Sequence, residues 1–422
     1  MAQECTARTD RADGLSSARR LPRSADPRRR SAPLDPRNNS LNLIRLLLAV
    51  AVLVSHTFPL SGQEHEPGWA GESLGGWAVI GFFTVSGYLI AGARLRSEGG
   101  RYLINRIARI MPGFLVSLLV VAFGFAPLAY AVERGTLDGF LTTPTTPLDH
   151  LFSNALLDMQ AYGVAGTLSG VPYPGDWNGS LWSLYFEFLC YIVVGVVATV
   201  PVVRRQAWPL VTLFLASVVV HAQIARFSVY LGGDGDFVML MKLLPYFLGG
   251  AVLFVLKERL PLRWQGALPA LVVALGVVAW QPAWGGQLAA PLFTYVLLWA
   301  AAVVPSPRWI RINDLSYGVY IYAFPVTQLL ALAGLHGLGL VPFTAAIVAG
   351  TLVLAGFSWF FVERPARDLV ARASRTDRTA PPGTQPEGPA TAPTVPVQRR
   401  VPPAVAPGRD ADDATSPGQT LR

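Results

Sequence analysis

Arg45 and His56 are ionisable residues within a largely apolar stretch, 41–60, that is long enough to cross a bilayer as a helix. Steps of about 100° per residue place the two side chains within about 20° of one helix face and roughly 16 Å apart along the axis. Ionisable residues at membrane depth are costly and usually functional. The pattern predicts a helix with a cation near one membrane surface and a base near the other.

The composition predicts an all-α, polytopic integral membrane protein. Hydrophobic residues make up 52% of the 422-residue chain, charged residues only 14%, and the mean hydropathy is +0.41. Ten apolar runs approach the length of a membrane-spanning helix: 41–60, 74–93, 108–131, 181–203, 207–222, 237–256, 264–281, 286–304, 315–336 and 340–362.

The orientation follows from the arginines and lysines, which concentrate in every second loop. Short cytoplasmic loops carry such an excess, so we expect both termini to be cytoplasmic and segment 132–180 to face outward. The same distribution explains the net charge of +8 without a nucleic-acid partner. Around the membrane domain at 41–368 we expect two disordered cytoplasmic tails, an Arg-rich one at 1–40 and a Pro/Ala/Thr-rich one at 369–422.

Glu187 is the carboxylate best placed to assist His56. If the fourth span runs inward, Glu187 lies roughly 9 Å below the outer surface, at a depth similar to that of His56. A buried carboxylate fixes the tautomer of a neighbouring imidazole and makes it a stronger base, as a general base requires. The alternative is that each side chain merely bonds to a neighbouring helix as a packing device.

Basic residues also gather at the predicted cytoplasmic surface. Arg106 and Arg109 are three residues apart and therefore neighbours on one helical face. Together with Arg45 they could form an anion pocket, because a guanidinium fork suits phosphate. The alternative is that they are ordinary anchors that bind lipid headgroups.

The remaining histidines and the cysteines suggest no second centre. His65 and His150 fall in predicted outer loops, and His221 and His336 at outer helix ends, so we expect surface or interfacial positions. Of these, His150 is the best candidate for a catalytic role because it lies in the long segment 132–180 that is predicted to face outward. Cys5 and Cys190 predict neither a disulfide nor a metal site.

Six motifs, in order along residues 40–368, resemble those of the acyltransferase-3 family of membrane-bound acyltransferases that modify surface carbohydrates and lipids. Any one of these motifs alone would be weak evidence, but six in register are strong evidence. They are Asn42-Leu-Ile-Arg45 with His56, Gly81-Phe-Phe-Thr-Val-Ser86-Gly-Tyr-Leu-Ile90, Arg106-Ile-Ala-Arg109-Ile-Met-Pro112, Asn178-Gly-Ser-Leu-Trp182-Ser-Leu-Tyr-Phe-Glu187, Leu315-Ser-Tyr-Gly-Val-Tyr320 and Ser358-Trp-Phe-Phe-Val-Glu-Arg-Pro365.

The resemblance implies about ten helices, a cytoplasmic acyl-CoA donor and transfer to a hydroxyl at or beyond the outer leaflet. It assigns functional roles to Arg45 and His56, to Ser86 of the second span, and to Arg106 with Arg109. The chain departs from many relatives after Tyr322, where Ala323 replaces a frequent histidine. Any role of that histidine in relatives cannot apply here.

A mechanism consistent with both lines of reasoning has acyl-CoA as a co-substrate and no permanently bound cofactor or metal. The three arginines bind the phosphates of coenzyme A, Ser86 lines or polarises the channel, and His56 deprotonates the acceptor hydroxyl; a covalent acyl-His56 intermediate is the alternative. Acetyl is the default acyl group. For a carbohydrate or glycolipid acceptor we expect contacts from the outer side, namely Tyr162, Trp177, Asn178 and Trp182.

Two functions from other classes also fit a polytopic chain: a transporter or flippase of a surface glycan or lipid precursor, and a nonenzymatic scaffold or sensor. An inverted repeat or a pair of broken helices would favour the transporter, and the sequence shows no convincing example of either. We therefore expect an O-acyltransferase in a bacterial inner or plasma membrane, in contact with lipid.

Overall fold

The computed structural model describes residue 34 and residues 38–230 and 233–379. Within these ranges the only strands are β1 (Gly68–Trp69) and β2 (Glu72–Ser73), a short antiparallel pair. One compact unit extends to Arg375, and the structure follows the chain as helix to Thr379. The predicted tails at 1–40 and 369–422 therefore lie mostly outside the described residues, apart from residue 34, residues 38–40 and the helical residues 369–379.

Helices make up nearly all the remaining regular structure. A π-helical turn (Val121–Phe125) joins α3 to α4, a second one (Trp359–Glu363) joins α16 to α17, and a 3-10 turn (Leu335–Leu338) precedes α16. The helices are α1 (Leu41–Leu60), α2 (Leu74–Leu95), α3 (Gly99–Val120), α4 (Ala126–Arg134), α5 (Pro147–Asn154), α6 (Trp182–Val197), α7 (Pro201–Arg205), α8 (Trp208–Ala222), α9 (Ile224–Tyr230), α10 (Gly235–Leu256), α11 (Trp264–Trp280), α12 (Gly285–Leu288), α13 (Ala290–Val303), α14 (Arg308–Ile312), α15 (Ser316–Leu332), α16 (Leu340–Ser358) and α17 (Arg364–Thr379).

Each of the ten predicted apolar runs overlaps at least one helix, and the differences are shifted ends and internal breaks. α1 has the predicted bounds, whereas α6 ends at Val197 and not at 203. Pro201 explains this end, because proline lacks the backbone N–H that continues a helix and is favoured where the next helix begins. The run 286–304 is likewise divided at Ala289 into α12 and α13.

By length and composition, five of the described helical segments can cross a membrane. They are α1, α2, the 36-residue segment Gly99–Arg134, α10 and Leu340–Ala373. The pair α8 and α9 is bent by 81° and makes a sixth if it counts as one span. Helices α6, α11 and α13 are apolar but shorter. Ten spans and the cytoplasmic termini therefore stay predictions.

Two glycines allow α2 and α10 to pack with their backbones in contact. A Cβ atom on Gly87 would lie 1.9 Å from the carbonyl oxygen of Phe247, and one on Gly250 would lie 2.0 Å from that of Thr84. Small residues at helix crossings permit such close packing. Helix α1 packs against both α2 and α15, and its polar residues Ser55 and Thr57 are buried.

Candidate active site

Helix α1 carries Arg45 and His56 into internal cavities near its two ends, which we call the Arg45 end and the His56 end of the bundle. The His56 ring is partly buried and meets the edge of Phe324, with ring centroids 5.5 Å apart. Its nitrogens have no hydrogen-bond partner among the residues that the structure describes. An imidazole without a partner is free to accept a proton from a bound substrate.

At the Arg45 end, Asp314 holds two of the three predicted arginines. Nη2 of Arg109 donates to Oδ2 of Asp314 at 2.5 Å, and Nη1 of Arg45 donates to the same oxygen. Burial alone would raise the pKa of the Asp314 carboxyl, but Arg109 and Arg45 outweigh it and hold the pKa well below its usual value. Sequence reasoning missed this carboxylate, which lies 269 positions after Arg45.

The arginine cavity, as we call the 590 Å³ cavity beside Asp314, contains all three predicted arginines. Nε of Arg106 and Nη1 of Arg109 are buried in it without a hydrogen-bond partner. Buried guanidinium donors without partners are well suited to bind an anion. The charged and amide lining comprises Asn42, Arg45, Asn105, Arg106, Arg109, Asn313, Asp314, Arg364, Arg367 and Asp368.

A second basic cavity of 760 Å³ lies at the same end and shares Asn42 and Arg45 with the arginine cavity. In it, Arg96 and Lys257 both lie over the ring of Phe254, at 5.7 and 4.1 Å from its centroid. These cations therefore already have an aromatic partner. The arginine cavity remains the stronger anion site, because Nε of Arg106 and Nη1 of Arg109 have no hydrogen-bond partner.

Glu187 is bound to Ser86 and does not contact His56. Its Oε1 accepts a hydrogen bond from Ser86 Oγ and another from Tyr191 OH, each 2.7 Å long. The structure thus brings together two predicted site residues, Ser86 and Glu187, in a pairing that the sequence did not indicate. The expectation that Glu187 orients the His56 imidazole has no support in this arrangement.

Between the two ends, neighbouring cavities share lining residues. The middle cavity, only 30 Å³, is lined by Arg45, Glu187, Val79 and Tyr320. Val79 and Tyr320 also line the histidine cavity, 200 Å³, which contains His56. The three cavities therefore form a row from the guanidiniums to the imidazole, with the smallest one in the middle.

Tyr320 is fixed at this passage by two short hydrogen bonds. Its hydroxyl donates to the carbonyl oxygen of Ser180 at 2.6 Å and accepts from Ser183 Oγ at 2.5 Å. The Ser180 hydroxyl, by contrast, is buried without a partner and lines the histidine cavity. This cavity thus offers a hydroxyl and an imidazole to a bound molecule.

Of the four residues expected to contact the acceptor, only Trp182 lines the histidine cavity. Trp177 is fully buried and its Nε1 donates to Thr167 Oγ1 at 2.8 Å. Asn178 is fully buried too, and Tyr162 is partly buried against the hydrophobic core. These three side chains build the loop before α6 and do not contribute to the cavity.

His150 is fully buried, so the expected surface or interfacial position is wrong for this residue. Its Nδ1 donates to the carbonyl oxygen of Gly163 at 3.2 Å, and its Nε2 accepts from Asn178 Nδ2 at 3.2 Å. Burial lowers the pKa of His150 to about 4, although the Gly163 carbonyl opposes this shift. His150 therefore acts as a neutral support of the loop.

The other three histidines lie away from His56. His65 is exposed, while His221 and His336 are partly exposed and bond to the carbonyl oxygens of Ala283 and Ala331. None of these side chains lines the arginine, middle or histidine cavity of the described chain. Among the described histidines, His56 is accordingly the one that lines any of these three cavities, namely the histidine cavity.

Comparison with known sequences decides the chemistry that this geometry serves. The sequence model of the acyltransferase-3 family, described as an acyltransferase domain, matches residues 38–361. The chain belongs to the acyltransferase-3 family. The match includes His56, Ser86, Glu187 and the three predicted arginines.

Two acyltransferase-3 relatives resemble most of the chain. An O-acetyl transferase of Shigella phage Sf6 is 29% identical over 335 residues, which are 78% of this chain and 96% of the relative. Nodulation protein 10 of Rhizobium leguminosarum bv. viciae is 26% identical over 365 residues, with 78% and 94% of the two chains covered. No solved structure matches significantly. The chain is thus an acyltransferase, and the first relative agrees with the O-acyltransferase predicted from the motifs.

Proposed function

We propose that this protein moves an acyl group, most simply acetyl, from acyl-CoA at the Arg45 end to a hydroxyl of a carbohydrate or glycolipid at the His56 end. The observation that carries the proposal is the row of cavities between arginines with unused N–H donors and an imidazole without a partner. The O-acetyl transferase among the relatives supports acetyl as the group and oxygen as its acceptor.

The donor fits the Arg45 end by charge and by shape. Coenzyme A is a polyphosphate joined to a long, narrow arm that ends in the thioester. Arg106 and Arg109 offer the phosphates donors that no protein group occupies, and Arg45 stands where the arginine cavity meets the middle cavity. The arm then extends past Val79 and Tyr320 toward His56, a distance of roughly 16 Å along α1.

The transfer step needs one base and one acid, and His56 serves as both. Its imidazole takes the proton of the acceptor hydroxyl while the hydroxyl oxygen attacks the thioester carbonyl carbon. A carbon–oxygen bond forms, the carbon–sulfur bond breaks, and the coenzyme A thiolate leaves with the proton from the imidazolium. The unpaired hydroxyl of Ser180 is available to bind the acceptor.

A covalent acyl-His56 intermediate is the alternative sequence of steps. Here the imidazole attacks the thioester first, coenzyme A leaves, and the acceptor hydroxyl then removes the acyl group. Incubation with radiolabelled acetyl-CoA in the absence of acceptor separates the two schemes, since only the covalent one leaves label on His56.

Glu187 acts on the donor side in this proposal. Its carboxylate lines the middle cavity together with Arg45, and Ser86 with Tyr191 fixes its orientation. Ser86 is therefore a positioning residue that acts through Glu187. The carboxylate is available to accept hydrogen bonds from the amide groups of the donor arm.

For the membrane topology we propose ten crossings, cytoplasmic termini and a bacterial inner or plasma membrane. The arginines of alternate loops support this orientation, with the Arg45 end facing the cytoplasm, where acyl-CoA is made. The His56 end then faces outward. Donor and acceptor thus reach the site from opposite sides.

Vesicles of known orientation test the function. Radiolabelled acetyl-CoA is supplied to the cytoplasmic face, and base-labile label is measured on glycans of the other face by mass spectrometry. The proposal predicts an added acetyl mass that is absent with His56→Ala. Labelled glycan with both the parent protein and His56→Ala, or with neither of them, would contradict it. Movement of glycan without any donor would support the transporter alternative instead.

A further inference from the structure

A further cavity of 350 Å³ adjoins the histidine cavity at the His56 end, and we call it the side cavity. The two cavities share Glu72 and Lys242 as lining residues. Its volume lies within the usual range for small-molecule sites, about 300–1,000 Å³. Trp77, His221, Tyr246 and Gln287 complete its polar and aromatic lining.

Two polar groups of the side cavity have no partner in the described chain. The Tyr246 hydroxyl makes no hydrogen bond, and Nδ1 of His221 is buried without one. Gly286 leaves the space for that hydroxyl, since a Cβ atom there would lie 2.3 Å from it. Buried polar atoms without partners are rare in proteins, and Nδ1 of His221 is one of them. The Tyr246 hydroxyl lines the same cavity with its hydrogen-bonding capacity unused, so both groups are candidates to bind a ligand.

The charges of the side cavity favour a neutral ligand. Nζ of Lys242 and Oε1 of Glu72 form an ion pair at 2.6 Å, so neither charge is left to attract an anion or a cation. Both side chains can still donate or accept further hydrogen bonds. This lining suits hydroxyl groups better than phosphate.

An aromatic surface completes the site. Trp77 is held by Trp69 and Phe293, at centroid distances of 5.8 and 5.6 Å, and its Nε1 donates to the carbonyl oxygen of Trp69 at 3.0 Å. A rigid aromatic ring next to hydroxyl-binding groups fits a sugar ring, which has an apolar C–H face and polar edges.

We propose that the side cavity binds a second, neutral sugar of the acceptor while the sugar to be acylated occupies the histidine cavity. The acceptor is then an oligosaccharide or a glycolipid headgroup of at least two sugars. This inference rests on the proposed acyltransferase function. It adds the minimum length of the acceptor and the residues that recognise its second sugar.

Acceptor length provides the test. Purified full-length protein in lipid nanodiscs receives radiolabelled acetyl-CoA with methyl glycosides of glucose, galactose, mannose and rhamnose, or with the corresponding disaccharides. We expect disaccharides to have the lower KM. Tyr246→Phe and His221→Ala should each raise the disaccharide KM roughly two- to tenfold, the effect of one hydrogen bond, and leave monosaccharide kinetics unchanged.

Tyr230→Phe and His336→Ala are the matched controls, because neither residue lines the side cavity or the histidine cavity. Unchanged monosaccharide kinetics also show that each variant is folded. Equal KM values for mono- and disaccharides, or variant effects of the same size on both, would overturn the second sugar site and leave the acyltransferase function intact. Transfer to no glycoside by the unaltered protein would overturn both.

Discussion

Arg109 donates a 2.5 Å hydrogen bond to Oδ2 of Asp314, the same carboxylate oxygen that Arg45 contacts from another helix. One carboxylate therefore fixes two of the three guanidiniums at the proposed donor site. The two guanidiniums carry two positive charges and the carboxylate one negative charge, so the site is positive before the donor binds. A phosphate of coenzyme A would complete the neutralisation.

Asp314→Asn should destabilise the protein strongly, because it leaves two buried guanidiniums without their counter-ion. The expected loss is about 3–5 kcal/mol, measured by thermal unfolding in detergent at pH 7. Coenzyme A should restore more stability to this variant than to the parent. Asp368→Asn is the control, since Asp368 is exposed and only weakly paired with Arg364 at 3.8 Å. Equal stability of the two variants would contradict the role of Asp314.

The pH dependence of that loss has a defined sign. The folded-state pKa of Asp314 lies below its unfolded value, so its contribution is fully present above about pH 4 and is lost as the pH falls further. The difference in unfolding temperature between parent and Asp314→Asn should hold from pH 7 to about pH 4 and shrink below it. If the difference in unfolding temperature already shrinks at pH 6, a group other than Asp314 causes it.

His150 should make the loop before α6 sensitive to mild acid. Its pKa falls from 6.5 in the unfolded chain to about 4 in the fold, so stability is lost as the pH drops from 6.5 toward 4. The loss is on the order of 3 kcal/mol at 1.36 kcal/mol per pKa unit. Unfolding curves at several pH values measure it. His150→Asn should flatten the dependence in this window, whereas His336→Ala should not.

Val79→Trp should close the passage between the middle and histidine cavities. The middle cavity has only 30 Å³, so a larger side chain there leaves no path for the thioester arm. We expect kcat to fall at least about 100-fold while coenzyme A binding, followed by calorimetry, changes little, because the arginine cavity is untouched. Val341→Trp, at a residue 80% exposed, is the control. Normal turnover in Val79→Trp would mean that the donor takes another route.

Glu187→Gln separates the two possible roles of this carboxylate. In our account it acts on the donor, so the variant should raise the KM for acetyl-CoA by roughly tenfold and leave the pH profile of kcat unchanged. Ser86→Ala should show the same pattern more weakly, because Tyr191 still holds the carboxylate. A shifted pH profile in Glu187→Gln would restore the role expected from sequence, in which Glu187 orients His56.

The sequence predicts the helices well because apolar runs of spanning length are a local property. It also places Arg45 and His56 on one helix face, which requires only the helical repeat. The partners of these residues come from distant segments: Asp314 meets Arg45 across 269 positions, and Ser86 meets Glu187 across 101. Such pairings depend on which helices pack together, and a single sequence does not contain that information.

The loop before α6 shows a second limit of sequence reasoning. Trp177 and Asn178 have the side chains of a sugar-binding site, yet both are fully buried and bonded to Thr167 and His150. Residue type gives the chemistry that a side chain can perform, but only the fold determines whether a ligand can reach it. Here the accessible aromatic residues are Trp182 and Trp77, which line the cavities at the His56 end.

The central claim is that His56 transfers the proton of the acceptor hydroxyl. The most direct test compares the steady-state acetylation rate of His56→Ala with that of the parent in the same nanodiscs, while both proteins bind acetyl-CoA normally. The account predicts a fall in kcat of about 10²- to 10⁴-fold, the usual contribution of a general base, with an unchanged Kd for coenzyme A. A His56→Ala variant that turns over at nearly the parental rate would contradict it.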